Sequence, residues 1–203
     1  IKNKLIKLTE FIKLNKKNVK ALICVDTSPI MEKSWAQKAG IGWIGKHTNL
    51  ITRDYGSWIF LAEIILDIDL IFDPIFEDDL CGSCTACIDH CPTNAIVDEY
   101  VLDSRKCISY LTIEHRGDFP VEYQGNLDSW IYGCDICQEV CPWNEKFSQK
   151  SIEDDFKPNP EILKKKKKDW KNLTLDEYKK IFKGSPVKRT KYSGLKRNIS
   201  KNL

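Results

Sequence analysis

Apolar residues recur at helical spacing over residues 1–20, where Leu5, Ile6, Leu8, Phe11, Ile12 and Leu14 alternate with lysines. That pattern predicts a basic amphipathic helix. Residues 21–25 form a short apolar run and predict a buried strand, which ends in Asp26-Thr27-Ser28-Pro29. Residues 31–39 read as a second helix, closed by Gly40. Residues 49–52 and 58–65 read as strands on either side of a turn at 54–56. Further on, residues 92–97 with 100–102 predict a short hairpin, and residues 103–111 a helix N-capped near Asp103. The most apolar stretch, 58–72, already carries Glu63, Asp67 and Asp69. Nowhere do about 18 apolar residues run together, so no membrane-spanning helix is expected.

A chain of 203 residues makes one large domain or two small ones. Its 42% hydrophobic and 30% charged residues are the usual balance of a globular protein. It shows no secretory pattern, begins with Ile and holds a single Met, Met31, so it reads as a piece of a longer polypeptide. The net charge of +3 conceals an asymmetry. Residues 164–203 hold 15 Lys/Arg against 3 Asp/Glu, a balance of +12, while residues 1–163 hold 17 against 26, a balance of −9. A basic tail on an acidic body suits a polyanionic partner or a solvated end.

The cysteines change the picture most. Of nine, eight fall within residues 81–141, and Cys24 stands apart in the first predicted strand as a small buried residue. Cys81-Gly-Ser-Cys84-Thr-Ala-Cys87-Ile-Asp-His-Cys91-Pro92 is C-x2-C-x2-C-x3-C-P, the bacterial ferredoxin run. Cys134-Asp-Ile-Cys137-Gln-Glu-Val-Cys141-Pro142 repeats it without the leading cysteine, and Cys107, 27 residues upstream, is the natural replacement. In such runs the last cysteine ligates the other cluster. Cluster one then takes Cys81, Cys84, Cys87 and Cys141, and cluster two takes Cys91, Cys107, Cys134 and Cys137. The alternative is a pair of zinc sites, which the repeated x3-C-P endings argue against.

Around the clusters the chemistry is less explicit. Asp26 ends a strand, where open α/β sheets place ligands, although a helix cap before Ser28-Pro29 explains it as well. Gly40-Ile-Gly-Trp-Ile-Gly45 has the letters of a dinucleotide fingerprint but trails a helix instead of following a strand. His47, His90 and His115 suggest no ligand set, and Trp130, Trp143 and Trp170 read as packing residues.

Taken in order, the motifs VDTSP (25–29), KAGIGWIGKHTNLI (38–51), GSWIFLAEI (56–64), CGSCTACIDHCPTNAI (81–96), RKCISYLTIE (105–114) and YGCDICQEVCPWN (132–144) resemble the epoxyqueuosine reductase family. GSPVKRTKYSGLKRN (184–198) resembles its more C-terminal basic segment. The resemblance runs from about residue 21 to near the end and implies a cytoplasmic cobalamin-dependent iron–sulfur enzyme related to reductive dehalogenases. Such enzymes reduce epoxyqueuosine to queuosine at the wobble position of tRNA, the last step of queuosine formation.

The implied fold is α+β. Residues 1–78 form part of an α/β cobalamin-binding domain whose beginning is missing, 79–145 a ferredoxin-like domain with two 4Fe–4S clusters, and 146–203 a basic helical tail that starts a helical region. By the same resemblance Asp26 is the proton donor, and Asp26, Lys46, Thr48, Asn49, Leu50, Gly56, Ser57 and Ser109 lie near the corrin. The resemblance implies no protein His ligand to the cobalt, although His47 could touch the cobalamin. Lys188, Arg189, Lys191, Lys196 and Arg197, with Lys164–Lys168, become candidate phosphate contacts. The expected partners are epoxyqueuosine-bearing tRNA and an external low-potential electron donor, with no membrane and a monomeric state. Two competing functions are another corrinoid reductase of the dehalogenase kind and a non-catalytic ferredoxin-type electron-transfer module.

Overall fold

The structure, a computed structural model, describes residues 1–123 and 127–203. In chain order its regular elements are α1 (Lys2–Asn15), β1 (Ala21–Cys24), α2 (Glu32–Lys38), β2 (Trp43–Ile44), β3 (Leu50–Ile51), β4 (Glu63–Leu66), α3 (Ala86–Asp89), β5 (Ile96–Asp98), β6 (Val101–Leu102), α4 (Ile108–Ile113), α5 (Ile136–Glu139), α6 (Pro142–Phe147), α7 (Pro160–Lys164), α8 (Lys167–Lys171), α9 (Leu175–Ile181) and α10 (Lys191–Asn202). The class is mixed helix and sheet, as expected, and the strands among the described residues pair antiparallel. The chain divides into two compact units: Ile1–Cys84 with Pro142–Ser148, and Thr85–Cys141 with Gln149–Leu203. The basic tail therefore shares a unit with most of the cysteines.

In the first unit β1 pairs with β4, from Ala21 opposite Leu66 to Cys24 opposite Glu63. The strand expected to be buried is covered only at Cys24, and Leu22 and its partner Ile65 are exposed. The strand expected over 58–65 is confined to Glu63–Leu66, because β1 offers only four residues to pair with. Trp58 and Phe60 lie outside that strand and are exposed. Helix α1 forms where the apolar spacing predicts it, yet Leu8, Phe11 and Leu14 on its apolar positions are exposed.

The glycine-rich run folds as the hairpin β2–β3, Trp43 opposite Ile51 and Ile44 opposite Leu50, not as a strand-to-helix phosphate turn. Gly42 is required there, since a Cβ would lie 2.0 Å from the Ile51 carbonyl oxygen. Trp43 is the centre of this unit's core, stacked on Phe76 at 5.5 Å and edge-on to Trp143 at 4.8 Å. Trp143 is held in turn by its indole N–H donating to the Leu80 carbonyl at 3.2 Å.

In the second unit the two cysteine runs fold alike. Each makes one short helix, α3 around Cys87 and α5 around Cys137, and the two helices pack on each other. The hairpin β5–β6 forms where the sequence predicts it. The helix expected over 103–111 is broken. Asp103 caps a 3-10 turn over Ser104–Lys106, its side chain accepting the Arg105 N–H at 3.1 Å. The extended Cys107 (φ −68°, ψ 125°) then ends that turn and N-caps α4.

Two apolar cores stabilise the unit. Ile108, Leu111, Phe119 and Leu127 form one. Leu173, Tyr178, Ile181, Phe182, Leu195 and Ile199 form the other, in the tail. Helix α9 starts in a capping box: Thr174 Oγ1 accepts the Glu177 N–H at 3.2 Å and Glu177 Oε2 accepts the Thr174 N–H at 2.9 Å.

Candidate metal centre

Four thiols of the second unit make up the set expected for cluster two. Cys91 follows α3, Cys107 caps α4, and Cys134 and Cys137 flank the start of α5. None of the nine cysteines is in a disulfide. Cys91 Sγ accepts the Ala95 N–H at 3.2 Å. Burial opposes ionisation of Cys91, but the N–H groups of Ile96, Ala95 and Thr93 and the Thr93 hydroxyl outweigh it and hold the thiol below its ordinary value.

Cys134 and Cys137 move the opposite way. Burial, against one N–H from Ile136, pushes Cys134 up to about 11, with Cys107, Asp135 and Cys91 adding repulsion. Burial pushes Cys137 up to about 12, with Cys134, Cys107, Cys87 and Cys91 adding to it. These sulfurs lie within electrostatic reach of one another and resist sharing negative charge without a cation between them. That is the chemistry of a thiolate-ligated metal core, whose binding drives deprotonation.

Among the described residues no group of three or more His, Cys, Asp or Glu side chains is drawn together as a ligand set for one metal ion. A cube of iron and sulfide spreads its four thiolates over four irons, and the Cys91, Cys107, Cys134 and Cys137 set fits that donor chemistry. Of the other expected set, Cys81 and Cys84 belong to the first unit and Cys87 and Cys141 to the second. For that set the spacing of the run makes the assignment.

The residues expected near a corrin occupy three loops of the first unit, apart from Ser109, which sits in the first turn of α4. Asp26 follows β1 in the left-handed region at φ +54°, with its backbone N–H donating to Glu32 Oε1 at 2.9 Å and its side chain exposed. Thr48 is also left-handed, at φ +67°, and its carbonyl accepts Lys33 Nζ at 2.7 Å. Thr48 and Asn49 are half-buried, whereas Lys46, Leu50, Gly56 and Ser57 are buried. Lys46 Nζ donates to the Gly82 carbonyl at 2.6 Å. The Ser57 N–H donates to Asn144 Oδ1 at 2.6 Å, and Asn144 Nδ2 donates to Ser57 Oγ at 2.8 Å. Gly56, at φ +65°, lies so close that a Cβ would stand 2.1 Å from Asn144 Oδ1. These buried residues shape the loops.

Two residues without an assigned role in the sequence take part. Asn144 locks the 56–57 loop, a contact spanning 87 positions that no local pattern announces. His47 is buried, 4% exposed, and its Nδ1 accepts the Asn49 N–H at 3.1 Å. Burial, then Lys33, lowers its pKa to about 4, against a smaller backbone hydrogen-bond effect, so the ring is neutral and Nε2 carries the proton. Among the described residues that buried Nε2–H has no acceptor. A ligand fringed with amide and phosphate oxygens, as cobalamin is, fits the loop that carries it. An apolar cavity of about 610 Å³ lies elsewhere in this unit, between residues 29–31, α2 and residues 61–65, with Glu63 on its wall.

The candidate phosphate contacts divide. Lys188 and Lys191 are exposed. Arg189 is ion-paired with Glu114, and Lys196 Nζ donates to the Lys171 carbonyl at 2.7 Å. Arg197 turns inward, its guanidinium donating to the carbonyls of Leu111, His115 and Gly117. In the lysine run 164–168, Lys165 lies over Trp170 and pairs with Glu177, and its four neighbours are exposed.

Residues 80–144 match the 4Fe-4S double cluster binding domain family. Over 199 residues, 98% of its length, the chain is 54% identical to an epoxyqueuosine reductase of Cellulophaga algicola, and it is 50% identical over 200 residues to one of Leadbetterella byssophila. It covers 64% and 65% of those two proteins. Among solved structures it is similar to a crystal structure of epoxyqueuosine reductase with an epoxyqueuosine-modified tRNA-Tyr stem loop, at TM-score 0.89 and 34% identity. That match covers 98% of this chain and 52% of the other.

Proposed function

The chain is a relative of the epoxyqueuosine reductases, and from that premise we propose that it is the electron-carrying part of an enzyme that reduces epoxyqueuosine to queuosine in tRNA. The observation that carries this reading is that double-cluster cysteines are set inside a likeness running through both flanks. Opening the epoxide to the alkene consumes two electrons and two protons and releases the oxygen as water. When bound, two 4Fe–4S clusters supply low-potential single electrons and cobalamin supplies the reducible metal at which the C–O bond is broken. Cys81, Cys84, Cys87 and Cys141 hold one cluster, and Cys91, Cys107, Cys134 and Cys137 the other.

The loops at Lys46–Leu50 and Gly56–Ser57 shape and line the cobalamin pocket, and Ser109 is carried over with them from the family resemblance alone. Asp26 is the acid. It stands on a strand-end loop whose backbone is fixed by Glu32, with its carboxyl at the surface, and it delivers a proton to the epoxide oxygen as charge builds there. The exposed cations of the tail, Lys188 and Lys191 among them, supply sequence-independent contacts to tRNA phosphates. A tRNA substrate fits a monomeric enzyme of the cytoplasm, fed by an external low-potential donor.

The test uses the full polypeptide that contains this chain, loaded anaerobically with iron, sulfide and cobalamin and given epoxyqueuosine-tRNA with a strong reductant. The modified nucleoside is expected to lose the mass of one oxygen. Asp26→Asn is expected to cut turnover while leaving the absorption of clusters and cobalamin intact. An unchanged nucleoside mass sinks the activity, and equal turnover of Asp26→Asn removes Asp26 from its role.

A further inference from the structure

We propose that the C-terminal helix α10 clamps the pocket of cluster two, with Thr112 and Asn198 as positioning residues that hold the Cys107 and Cys134 segments at one spacing. The inference rests on the cluster assignment above and concerns how the second unit keeps that site in shape.

Thr112 and Asn198 are both fully buried, at 0% exposure, as is expected of polar side chains only where every group is used. Thr112 lies in α4, the helix that Cys107 caps. Its Oγ1 donates to the Ile108 carbonyl at 2.7 Å and accepts the N–H of Gly133 at 2.9 Å, the residue directly before Cys134. One hydroxyl thus joins the helix of one ligand to the loop of another. Asn198, in α10, closes the arrangement from behind. Its Nδ2 donates to the Thr112 carbonyl at 2.8 Å and to the Ile131 carbonyl at 2.9 Å. Thr190 Oγ1, just before α10, donates to the same Thr112 carbonyl at 2.9 Å.

The bonds from the tail to these segments span 67 to 86 positions of sequence, so they exist only once the tail has docked. Apolar residues would fill this space at less desolvation cost. A fully satisfied polar network instead fixes a single geometry. The ligands need that, because Cys107 sits at a break between two short turns and α5 is one turn long. Iron–sulfur clusters are sensitive to hydrogen bonding and solvent access at their sulfurs. A clamp that fixes both ligand segments therefore governs how tightly cluster two is held and shielded.

The test uses the full polypeptide, reconstituted anaerobically, with each cluster's electron paramagnetic resonance signal assigned from Cys84→Ser and Cys134→Ser. Loss of each cluster to an iron chelator is then timed. Thr112→Val, nearly isosteric, is expected to speed loss of cluster two by roughly three- to tenfold, the effect of one buried hydrogen bond, and to alter its signal. Cluster one is expected to leave at the unaltered rate, and Thr112→Ser to restore both readings. Thr190→Val, which removes one of the two donors to the Thr112 carbonyl, gives the same selective loss in milder form and stands in should Thr112→Val not fold. Equal acceleration of both clusters, or of neither, overturns the clamp, as does failure of the serine to rescue. If the unaltered protein takes up no iron, the cluster assignment itself falls, and the clamp with it.

Discussion

Replacing Arg197 by methionine tests whether the basic tail is a strut or a phosphate contact at this position. In α10 the guanidinium donates from Nη2 to the Leu111 carbonyl at 2.9 Å and from Nη1 to the His115 and Gly117 carbonyls at 3.0 and 2.7 Å. Its central carbon lies 4.2 Å from the Phe119 ring centroid. The bond to Gly117 is exposed, and water replaces it easily. The other two are partly buried and charge-assisted, each contributing about 1.5 kcal/mol or more, and the ring contact adds about 0.5–1 kcal/mol. Against this, burial disfavours the charged guanidinium and lowers its pKa, with repulsion from Arg116 and partial relief from Asp118. The net expectation is a loss of about 2–3 kcal/mol, since methionine fills the same groove without the bonds. In urea unfolding followed by far-ultraviolet circular dichroism, the midpoint falls by about 1 M at unchanged slope. Binding of tRNA supplies the other arm. Lys188→Ala reduces the slope of log affinity against log salt by somewhat under about one, and Arg197→Met leaves it alone. A stability loss under about 0.5 kcal/mol together with a reduced salt slope would refute the strut and return Arg197 to the phosphates.

Gly56→Ala forces a left-handed alanine whose Cβ meets Asn144 Oδ1 and frees the buried Ser57 N–H, for a loss of about 2–4 kcal/mol in denaturant titration. Gly184→Ala, at φ +75° with open space around it, bears only the backbone cost of about 1–2 kcal/mol, and equal losses at the two sites would contradict the Asn144 lock. His47 binds its proton less readily folded, at about 4, than at its ordinary 6.5. Its contribution is therefore fully present above pH 6.5 and is lost as the pH falls towards 4. Between pH 7 and pH 5 the unaltered protein should lose about 2 kcal/mol relative to His47→Asn, whose shorter side chain still accepts the Asn49 N–H, and parallel pH profiles would show that His47 is not the group responsible. Thr174→Ala opens the capping box of α9 and should lower stability by about 1 kcal/mol in thermal melts, with Thr174→Ser near the original value.

The cysteine runs were legible because ligation imposes a local code. A thiolate every third residue requires a turn, and α3 and α5 are those turns, each set by residues within four positions. The break at Cys107 was not legible for the complementary reason. Helical spacing continues through residues 103–111, and only the extended backbone at one ligand interrupts it. The strand over 58–65 was overdrawn because apolar character fixes what is buried, while its length depends on how much edge a distant partner offers. The inward hydrogen bonds of Thr112, Asn198 and Arg197 left no trace in the pattern, where Arg197 read only as a phosphate contact, since their partners are about 80 positions away. The charge of the tail shows the same limit from the other side. A count of lysines and arginines sets the net charge of a segment, but direction decides what that charge can meet. Lys196 and Arg197 stand next to each other on α10, and each is already committed to backbone carbonyls of the same unit. Lys188 and Lys191, by contrast, are exposed, so among the candidates of the tail they are the ones whose charge faces solvent. The tail's buried polar groups are taken up by the carbonyls of Thr112 and Ile131.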